Sequence, residues 1–209
     1  DGNQAVGGSS VGASISANGR YVAFESDAVN LLGAGKDTNG LRDVFRKDLV
    51  SGAVVRCSTD RDGNQAVGEE SWASSISSDG RYVAFVSRAD NLVPGDTNGR
   101  EDIFRKDLVT GAIVRCSTDT NGNQAVGGGS WFPSISSDGR YVAFESEAAN
   151  LVPGDNNGQE DIFRKDLVTG AVVRCSTDRD GNQTVGGDSW SASISDDGRY
   201  VAFASAAAN

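Results

Sequence analysis

Short runs of strand-forming residues alternate with turn-forming residues along this chain, and no stretch keeps apolar residues at helical spacing for three turns. Residues 81–87, RYVAFVS, are rich in aromatic and branched side chains, and residues 102–108, DIFRKDL, alternate between two faces. The VTG that follows is a hairpin signal. With residues 73–77 and 112–118, these runs predict four successive strands joined by hairpin loops, which is an antiparallel meander.

The same phrases return along the chain at a fixed period. GRYVAF begins at four positions, first 61 and then 59 residues apart: Gly19, Gly80, Gly139 and Gly198. Three further phrases, FRKDL, VRCSTD and GNQ, each recur at intervals of 59 residues, starting at Phe45, Phe104 and Phe163; Val55, Val114 and Val173; and Gly63, Gly122 and Gly181. GNQ also occurs at Gly2. Self-similarity at one period predicts a repeat architecture.

Both faces of the predicted second strand of a unit are apolar. In the unit that begins near Trp72, Tyr82 and Ala84 point to one side and Val83 and Phe85 to the other. A single four-stranded sheet cannot bury both of its faces, so such units stack on neighbours, and a ring of them is a β-propeller. The alternative is a β-sandwich with duplicated hairpins.

The predicted fold class is therefore all-β, a β-propeller of four-stranded antiparallel blades. Residues 1–209 form one repeat array with about three and a half blades, at residues 11–59, 72–118, 131–177 and, for the half blade, 190–205. Complete propellers have four to eight blades, so apolar flanks and an unpaired edge after Phe203 are expected. Either the chain is a segment of a longer one, or copies associate to cover these flanks.

The phrases PSISSDGRYVAF and DIFRKDLVTG, with NLVPGDTNG between the second and third strands, resemble the WD40-like repeat of TolB-type β-propellers, the PD40 family, particularly secreted or cell-surface bacterial members. The resemblance covers essentially the whole chain. It implies a binding or scaffold module, sometimes attached to a separate catalytic domain, and an extracellular, cell-surface or periplasmic location. FRKDL departs from the more usual apolar–Arg–Asp pattern by placing Arg105 and Lys106 together.

Charge and composition narrow the function classes. The net charge of −10 argues against nucleic-acid binding, which needs a basic face to neutralise phosphates. The chain has no histidine, which removes the commonest general base and transition-metal ligand. No apolar run is long enough to predict a membrane span. The expected partners are other protein chains, further blades of the same protein or copies of this chain.

The cysteines and tryptophans occupy recurring positions. Equivalent residues in adjacent blades lie too far apart for a disulfide, so buried free thiols are expected on the fourth strand at Cys57, Cys116 and Cys175. A tryptophan opens the first strand of the second, third and fourth units, where the first unit has Val11: Trp72, Trp131 and Trp190. Packing at the blade junctions is the favoured role, and sugar binding is the alternative.

A recurring Asp-x-Asn-Gly-x-x-Asp loop is the principal candidate site. Calcium prefers six to eight oxygen ligands, which short loops of Asp and Asn supply. The three candidate sets are Asp37, Asn39 and Asp43; Asp96, Asn98 and Asp102; and Asp155, Asn157 and Asp161. In the second set, Pro94 stands where related calcium loops begin with Asp, so the ligand count is short. Asn-Gly is also a preferred turn centre, and an Asp at its edge caps the backbone without any metal.

A second acidic loop links the units and resembles the start of an EF-hand loop. Its candidate ligands are Asp60, Asp62 and Asn64; Asp119, Asn121 and Asn123; and Asp178, Asp180 and Asn182. Gln65 stands where an EF-hand loop requires glycine, and no helices flank the segment. A plain loop is the favoured interpretation.

The leading functional prediction is a non-enzymatic extracellular binding or assembly module, with calcium as the one candidate cofactor and with no catalytic residues. One alternative is a structural subunit that closes its incomplete propeller with other copies as a ring or filament. Another is a carboxylate-based hydrolase or a lectin acting at the propeller funnel. The sequence contains no histidine and shows no Ser or Cys nucleophile beside a plausible base, so it gives no support for catalysis by such a pair.

Overall fold

The computed structural model describes residues 4–209, so GNQ at Gly2 lies partly outside the described residues. Within that range the chain is all-β, with fourteen strands. The first three blades contain β1 (Ser10–Ile15), β2 (Tyr21–Ser26), β3 (Asp43–Asp48) and β4 (Val54–Arg56); β5 (Ser71–Ile76), β6 (Tyr82–Ser87), β7 (Asp102–Asp107) and β8 (Ile113–Arg115); and β9 (Ser130–Ile135), β10 (Tyr141–Ser146), β11 (Asp161–Asp166) and β12 (Val172–Arg174). The half blade contains β13 (Ser189–Ile194) and β14 (Val201–Ser205).

Each of the first three blades is a four-stranded antiparallel meander, and β13 and β14 form a two-stranded sheet. The predicted meander and the count of three and a half blades are therefore confirmed. The β-sandwich alternative is wrong, because the strands form separate small sheets rather than two large ones. No helix within residues 4–209 has the length and apolarity needed to cross a membrane.

All four strands of the second blade differ in their bounds from the prediction, the second and third by one residue only, at Tyr82–Ser87 and Asp102–Asp107. The first strand of the second blade covers Ser71–Ile76 rather than residues 73–77, and the fourth covers Ile113–Arg115 rather than residues 112–118. The fourth strand ends early because the Ser117 hydroxyl accepts from the Ile103 amide at 3.1 Å, which replaces a ladder bond. The predicted placement of the cysteines on the fourth strand is thus wrong, since each cysteine directly follows that strand.

The hydrophobic cores lie between blades. Val83 and Phe85 belong to a cluster shared with the first blade, whereas Ala84 and the packed ring of Tyr82 belong to a cluster shared with the third. The two faces of β6 therefore bury against different neighbours, as the alternation predicted. The burial of apolar side chains therefore comes from contacts between neighbouring sheets.

Every blade boundary uses the same polar contacts. At the boundary between the second and third blades, the Arg105 guanidinium donates to the Gly139 carbonyl at 2.6 Å, and the Ser78 amide donates to the Ser137 carbonyl at 3.1 Å. Equivalent bonds join Arg46 to Gly80 and Arg164 to Gly198. The repeat in sequence is thus a repeat of interfaces.

Candidate functional site

The principal predicted site is a buried polar cluster at the start of the third strand. In the second blade, Asp102 is fully buried and accepts hydrogen bonds from the Ser117 hydroxyl and, at 2.9 Å, from the Asn98 side-chain amide. The Arg115 guanidinium lies 3.3 Å from Asp102 and 3.0 Å from Asp96. The sequence predicted that Asp96, Asn98 and Asp102 meet, and they do; it missed Ser117 and Arg115.

The first and third blades repeat this cluster. Arg56 lies 3.1 Å from Asp37 and 3.3 Å from Asp43, and Arg174 lies 3.1 Å from Asp155 and 3.4 Å from Asp161. Asn39 and Asn157 donate to Asp43 and Asp161 as Asn98 does to Asp102.

Burial raises the pKa of both Asp43 and Asp102. Hydrogen bonds from the neighbouring serine and asparagine and the charge of the arginine act in the opposite direction. These clusters are therefore held by internal pairing.

As arranged, this donor set does not suit a calcium ion. Calcium needs six to eight oxygens directed at one point, whereas the Asn98 amide nitrogen faces Asp102 and its oxygen accepts from the Arg100 amide. A guanidinium already lies between the two carboxylates. No group of three or more His, Cys, Asp or Glu side chains placed to hold a metal ion is present in residues 4–209. The contacts favour a capped turn, and calcium binding stays a prediction.

The second predicted loops are also self-capped turns. Asp60 accepts from the amides of Asp62 and Asn64 at 2.9 and 2.8 Å and from the Asn64 side chain at 2.7 Å. The same bonds recur in the loops of Asp119, Asn121 and Asn123 and of Asp178, Asp180 and Asn182. The carboxylates therefore hold their own backbone, in the manner of an Asx-turn.

These linker loops also receive a lysine from the following blade, which the sequence did not predict. Lys106 is buried and donates to the carbonyls of Thr59 and Asp60 at 3.1 and 2.6 Å, and Lys165 does the same to Thr118 and Asp119. The Arg-Lys pair that departs from the usual pattern is thus explained. The arginine reaches forward to the next blade and the lysine reaches back to the previous one.

The cysteines are free and unsuited to nucleophilic chemistry. Cys57 and Cys116 are fully buried, and Cys175 is partly buried. Burial raises the pKa of the first two thiols to about 12 and that of Cys175 to about 11. The predicted free thiols are confirmed, and a thiolate is strongly disfavoured near neutral pH.

Two of the tryptophans have the packing role that the sequence favoured. Trp72 and Trp131 are half-buried and pack on the cluster between the second and third blades, whereas Trp190 of the half blade is exposed. The residue after each tryptophan has a positive φ: Ala73, Phe132 and Ser191. Gly12 is the equivalent residue of the first blade. In every blade the pairing register of the first two strands shifts at this point. In the sequence, only the glycine at position 12 indicated that the first strand contains a bulge.

Two glutamates accept from these bulges across blade boundaries. Glu25 accepts from the Ala73 amide at 2.7 Å, and Glu145 accepts from the Ser191 amide at 2.5 Å. Glu145 also lies beside Glu160. Burial and the neighbouring Glu145 carboxylate raise the pKa of Glu160 to about 7. Ionisation of one of these two carboxyl groups therefore disfavours ionisation of the other.

The outer face of the first blade is an uncovered apolar surface, called here the first-blade flank. It consists of Ile15, Val22, Phe24, Lys47 and Leu49, and most of it lines a shallow concavity of about 330 Å³. Ile15 is 59% exposed, whereas the equivalent Ile76 and Ile135 inside the array are 9% and 8% exposed. The difference in exposed fraction shows how much of the isoleucine side chain is buried by a preceding blade.

The half blade is uncovered on its other side. Tyr200 is 65% exposed. In the preceding blades, the equivalent rings of Tyr21, Tyr82 and Tyr141 pack on a glycine of the next blade: Gly80, Gly139 and Gly198. Gly19 is the equivalent glycine of the first blade, and no atom of residues 4–209 outside its immediate neighbours would lie within 4 Å of a Cβ placed there. The two ends of the array therefore present complementary parts of one interface.

Comparisons with known proteins support the fold. No family model matches the sequence, and no curated protein matches it. Among solved structures, TolB from Acinetobacter baumannii superposes with a TM-score of 0.52 at 19% identity, over 94% of this chain and 37% of that one. A prolyl endopeptidase structure gives a TM-score of 0.53 at 15% identity, over 93% of this chain and 25% of that one.

The chain thus spans well under half the length of either protein, and likeness at this identity establishes the fold alone. The separate four-stranded blades and the cores between them agree with that likeness. The chain has the fold of a TolB-like β-propeller, of which it forms three blades and half of a fourth.

Proposed function

We propose that the chain is a non-enzymatic assembly module in which the half blade of one copy docks on the first-blade flank of the next. The observation that carries this proposal is the complementarity of Tyr200 and Gly19. Inside the chain, each equivalent tyrosine packs on the equivalent glycine of the following blade. A contact between different surfaces of identical copies continues from copy to copy, and it gives a ring where the rotation closes and a filament where it does not.

Hydrophobic burial supplies the driving force for this contact. The exposed side chain of Ile15 and the half-buried Val22 and Phe24 would gain the cover that their equivalents have within the array. Because the half blade contributes two strands rather than four, the interface is smaller than an internal blade boundary. Association is therefore expected to depend on concentration.

The absence of catalysis is part of the proposal. The thiols are buried and protonated at neutral pH. The Glu145 carboxylate already accepts a hydrogen bond from the Ser191 amide at 2.5 Å, so the backbone of the next blade holds this carboxylate. An extracellular, cell-surface or periplasmic location also belongs to the proposal, supported by the resemblance to secreted propellers.

Light scattering across a concentration series tests the proposed assembly. The unmodified chain should increase in mass with concentration, whereas Ile15→Asp and Tyr200→Ala should remain monomeric. Val168→Ala is the matched control, because Val168 is 73% exposed on a turn outside both surfaces. A monomer at every concentration, or equal association of all four proteins, would overturn the proposal.

A further inference from the structure

We propose that a groove across the complete blades, called here the inner groove, binds an arginine side chain presented by a partner protein. The groove has a volume of about 480 Å³, and its lining includes Glu25, Trp72, Ala73, Ser74, Phe132 and Pro133. It shares no residue with the first-blade flank, so the inference goes beyond the proposed assembly.

The inner groove lies where the first strands of neighbouring blades meet. Strand β1 contacts β5, and β5 contacts β9. The bulges of β5 and β9 place Ala73 and Phe132 in the lining, with φ of 50° and 48°. The groove therefore belongs to the boundaries between complete blades.

Phe132 combines two features that folding alone does not favour. A left-handed backbone strains a residue that has a side chain, whereas glycine, which stands at the equivalent position 12, adopts it freely. Phe132 is also 57% exposed and belongs to neither core cluster. Its ring therefore has no core-packing role in the described part of the chain, and it presents an aromatic face to a ligand.

Glu25 supplies a buried carboxylate that has no direct cationic partner. It is 7% exposed and accepts from the Ala73 amide at 2.7 Å, and it forms no ion pair with any residue from 4 to 209. Burial raises the pKa of Glu25, whereas the Ala73 amide and the charge of the more distant Arg42 act in the opposite direction. A cation that enters the groove would therefore stabilise the ionised carboxylate.

The Ser74 hydroxyl is a second polar group without a partner at this groove. Its oxygen is buried, and no residue from 4 to 209 forms a hydrogen bond with it. A buried hydroxyl left in this state is unfavourable. The equivalent residues of the other blades are Ala13, Pro133 and Ala192, so the blade fold does not require a hydroxyl here.

These features together favour a guanidinium as the ligand. A guanidinium is planar, stacks on aromatic rings, and carries five hydrogen-bond donors and no acceptor. The chain already uses this chemistry internally, where the Arg105 guanidinium lies 4.6 Å from the ring centroid of Tyr82. The net charge of −10 disfavours an anion. A neutral sugar would leave the charge of Glu25 uncompensated.

An NMR titration with N-acetyl-arginine amide tests this inference. The labelled chain carries Ile15→Asp, so that association of copies does not interfere. Saturable shifts are expected at the amides of Ala73, Ser74 and Phe132, with a Kd on the order of 1 mM, as for a single side chain. N-acetyl-citrulline amide is the matched probe, because it has a similar shape without the charge. It should bind roughly tenfold more weakly.

Two variants separate binding from folding. Phe132→Gly removes the ring and relieves the strained backbone, so it should weaken binding several-fold without lowering the urea midpoint. Glu25→Gln keeps an acceptor for the Ala73 amide but removes the charge, and it should weaken binding roughly tenfold. Glu145→Gln is the matched control, because Glu145 holds the equivalent bulge at Ser191 outside this groove and should leave binding unchanged.

Several results would overturn the inference. These are the absence of saturable shifts, equal binding of the arginine and citrulline probes, shifts located away from the inner groove, or a lower urea midpoint for Phe132→Gly. Methyl glucoside is the third probe, and its saturable binding without any response to arginine would assign the groove to a sugar instead. Because the titrated chain carries Ile15→Asp, each result is independent of whether the unmodified chain self-associates.

Discussion

The ring of Tyr82 lies over Gly139 of the following blade, so closely that a Cβ at Gly139 would come within 2.2 Å of the ring. The same relationship recurs at the other two boundaries. Each glycine therefore allows the sheets to approach until the tyrosine ring is covered. The guanidinium of Arg105, 4.6 Å from the ring centroid of Tyr82, completes this contact.

Gly139→Ala should destabilise the chain more than Gly95→Ala does. Both glycines are left-handed, with φ of 73° and 77°, so both variants incur a similar backbone strain. Only Gly139 faces a ring, whereas Gly95 has open space. The additional loss should be about 1–3 kcal/mol, as for an overpacked core. Urea unfolding measures it, and equal losses would refute the role given to the contact.

Asp102→Ala should be among the most damaging single substitutions. It leaves the Ser117 hydroxyl without its acceptor and the buried Arg115 guanidinium with Asp96 as its remaining carboxylate partner, at a cost of about 1–3 kcal/mol for each buried group left unsatisfied. Asp62→Ala is the control, because its carboxylate is exposed in a turn. Thermal or urea unfolding of the two variants checks the difference. A loss at Asp102 no larger than at Asp62 would contradict the pairing.

Calcium removal should leave the stability unchanged. The positive charge that Asp96 and Asp102 require is already supplied by Arg115. The measurement is the melting temperature with EGTA, with added calcium, and with added magnesium as a control for ionic strength. A rise with calcium alone, accompanied by stoichiometric calcium in elemental analysis, would instead support the predicted metal loops.

Glu160 should make the chain less stable as the pH rises toward neutrality. Its pKa is raised from 4.5 to about 7 in the folded state by burial and by Glu145, Asp188 and Glu147. The folded chain therefore binds more protons than the unfolded chain between these values. The stability from this group is complete below about pH 4.5 and is lost as the pH rises through about 7.

Glu160→Gln removes that dependence, because glutamine does not ionise. The difference between the unmodified chain and this variant in urea unfolding should favour the variant progressively from pH 5 to pH 8. Glu101→Gln, at the equivalent position of the second blade, is the control, since Glu101 lies 3.6 Å from Arg88 and has an opposite charge beside it. Parallel stability profiles for the unmodified chain and Glu160→Gln would contradict the assignment.

Thiol labelling should distinguish the three cysteines. Cys57 and Cys116 are fully buried, so a maleimide should modify them only after unfolding. Cys175 borders the half blade and is partly exposed, so it should react first. Mass spectrometry of labelled peptides over time gives this order. Equal rates in the native chain would show that the blade boundaries open together.

The 59-residue repeat and the apolar residues on both faces of the second strand made most of the fold predictable. The alternation of Tyr82 and Ala84 with Val83 and Phe85 was sufficient to indicate that each sheet has a neighbour on both sides. The strand ends were less accurate, because the side chain of Ser117 replaces a backbone partner. A serine hydroxyl that replaces a backbone hydrogen-bond partner does not alter the hydrophobic pattern of the sequence, so that pattern does not indicate where the strand ends.

The candidate site was predicted only in part, because its residues come from separate strands. Arg115 reaches Asp102 since β7 pairs with β8 in the register that places Phe104 opposite Arg115. That register depends on the geometry of the hairpin, which residue spacing alone does not define. Lys106 reaches Thr59 across a blade boundary, and no local pattern in the sequence identifies that partner.

The lysine bridge has an evolutionary consequence. Lys106 and Lys165 bind the equivalent two carbonyls one unit upstream, so the joints between the three four-stranded blades carry the same lysine bridge. Unequal recombination that inserts or deletes one whole unit would leave this lysine bridge unchanged at the joints that remain. Lineages can therefore vary the size of the array by duplication without inventing contacts, and selection on new contacts falls only on the terminal units.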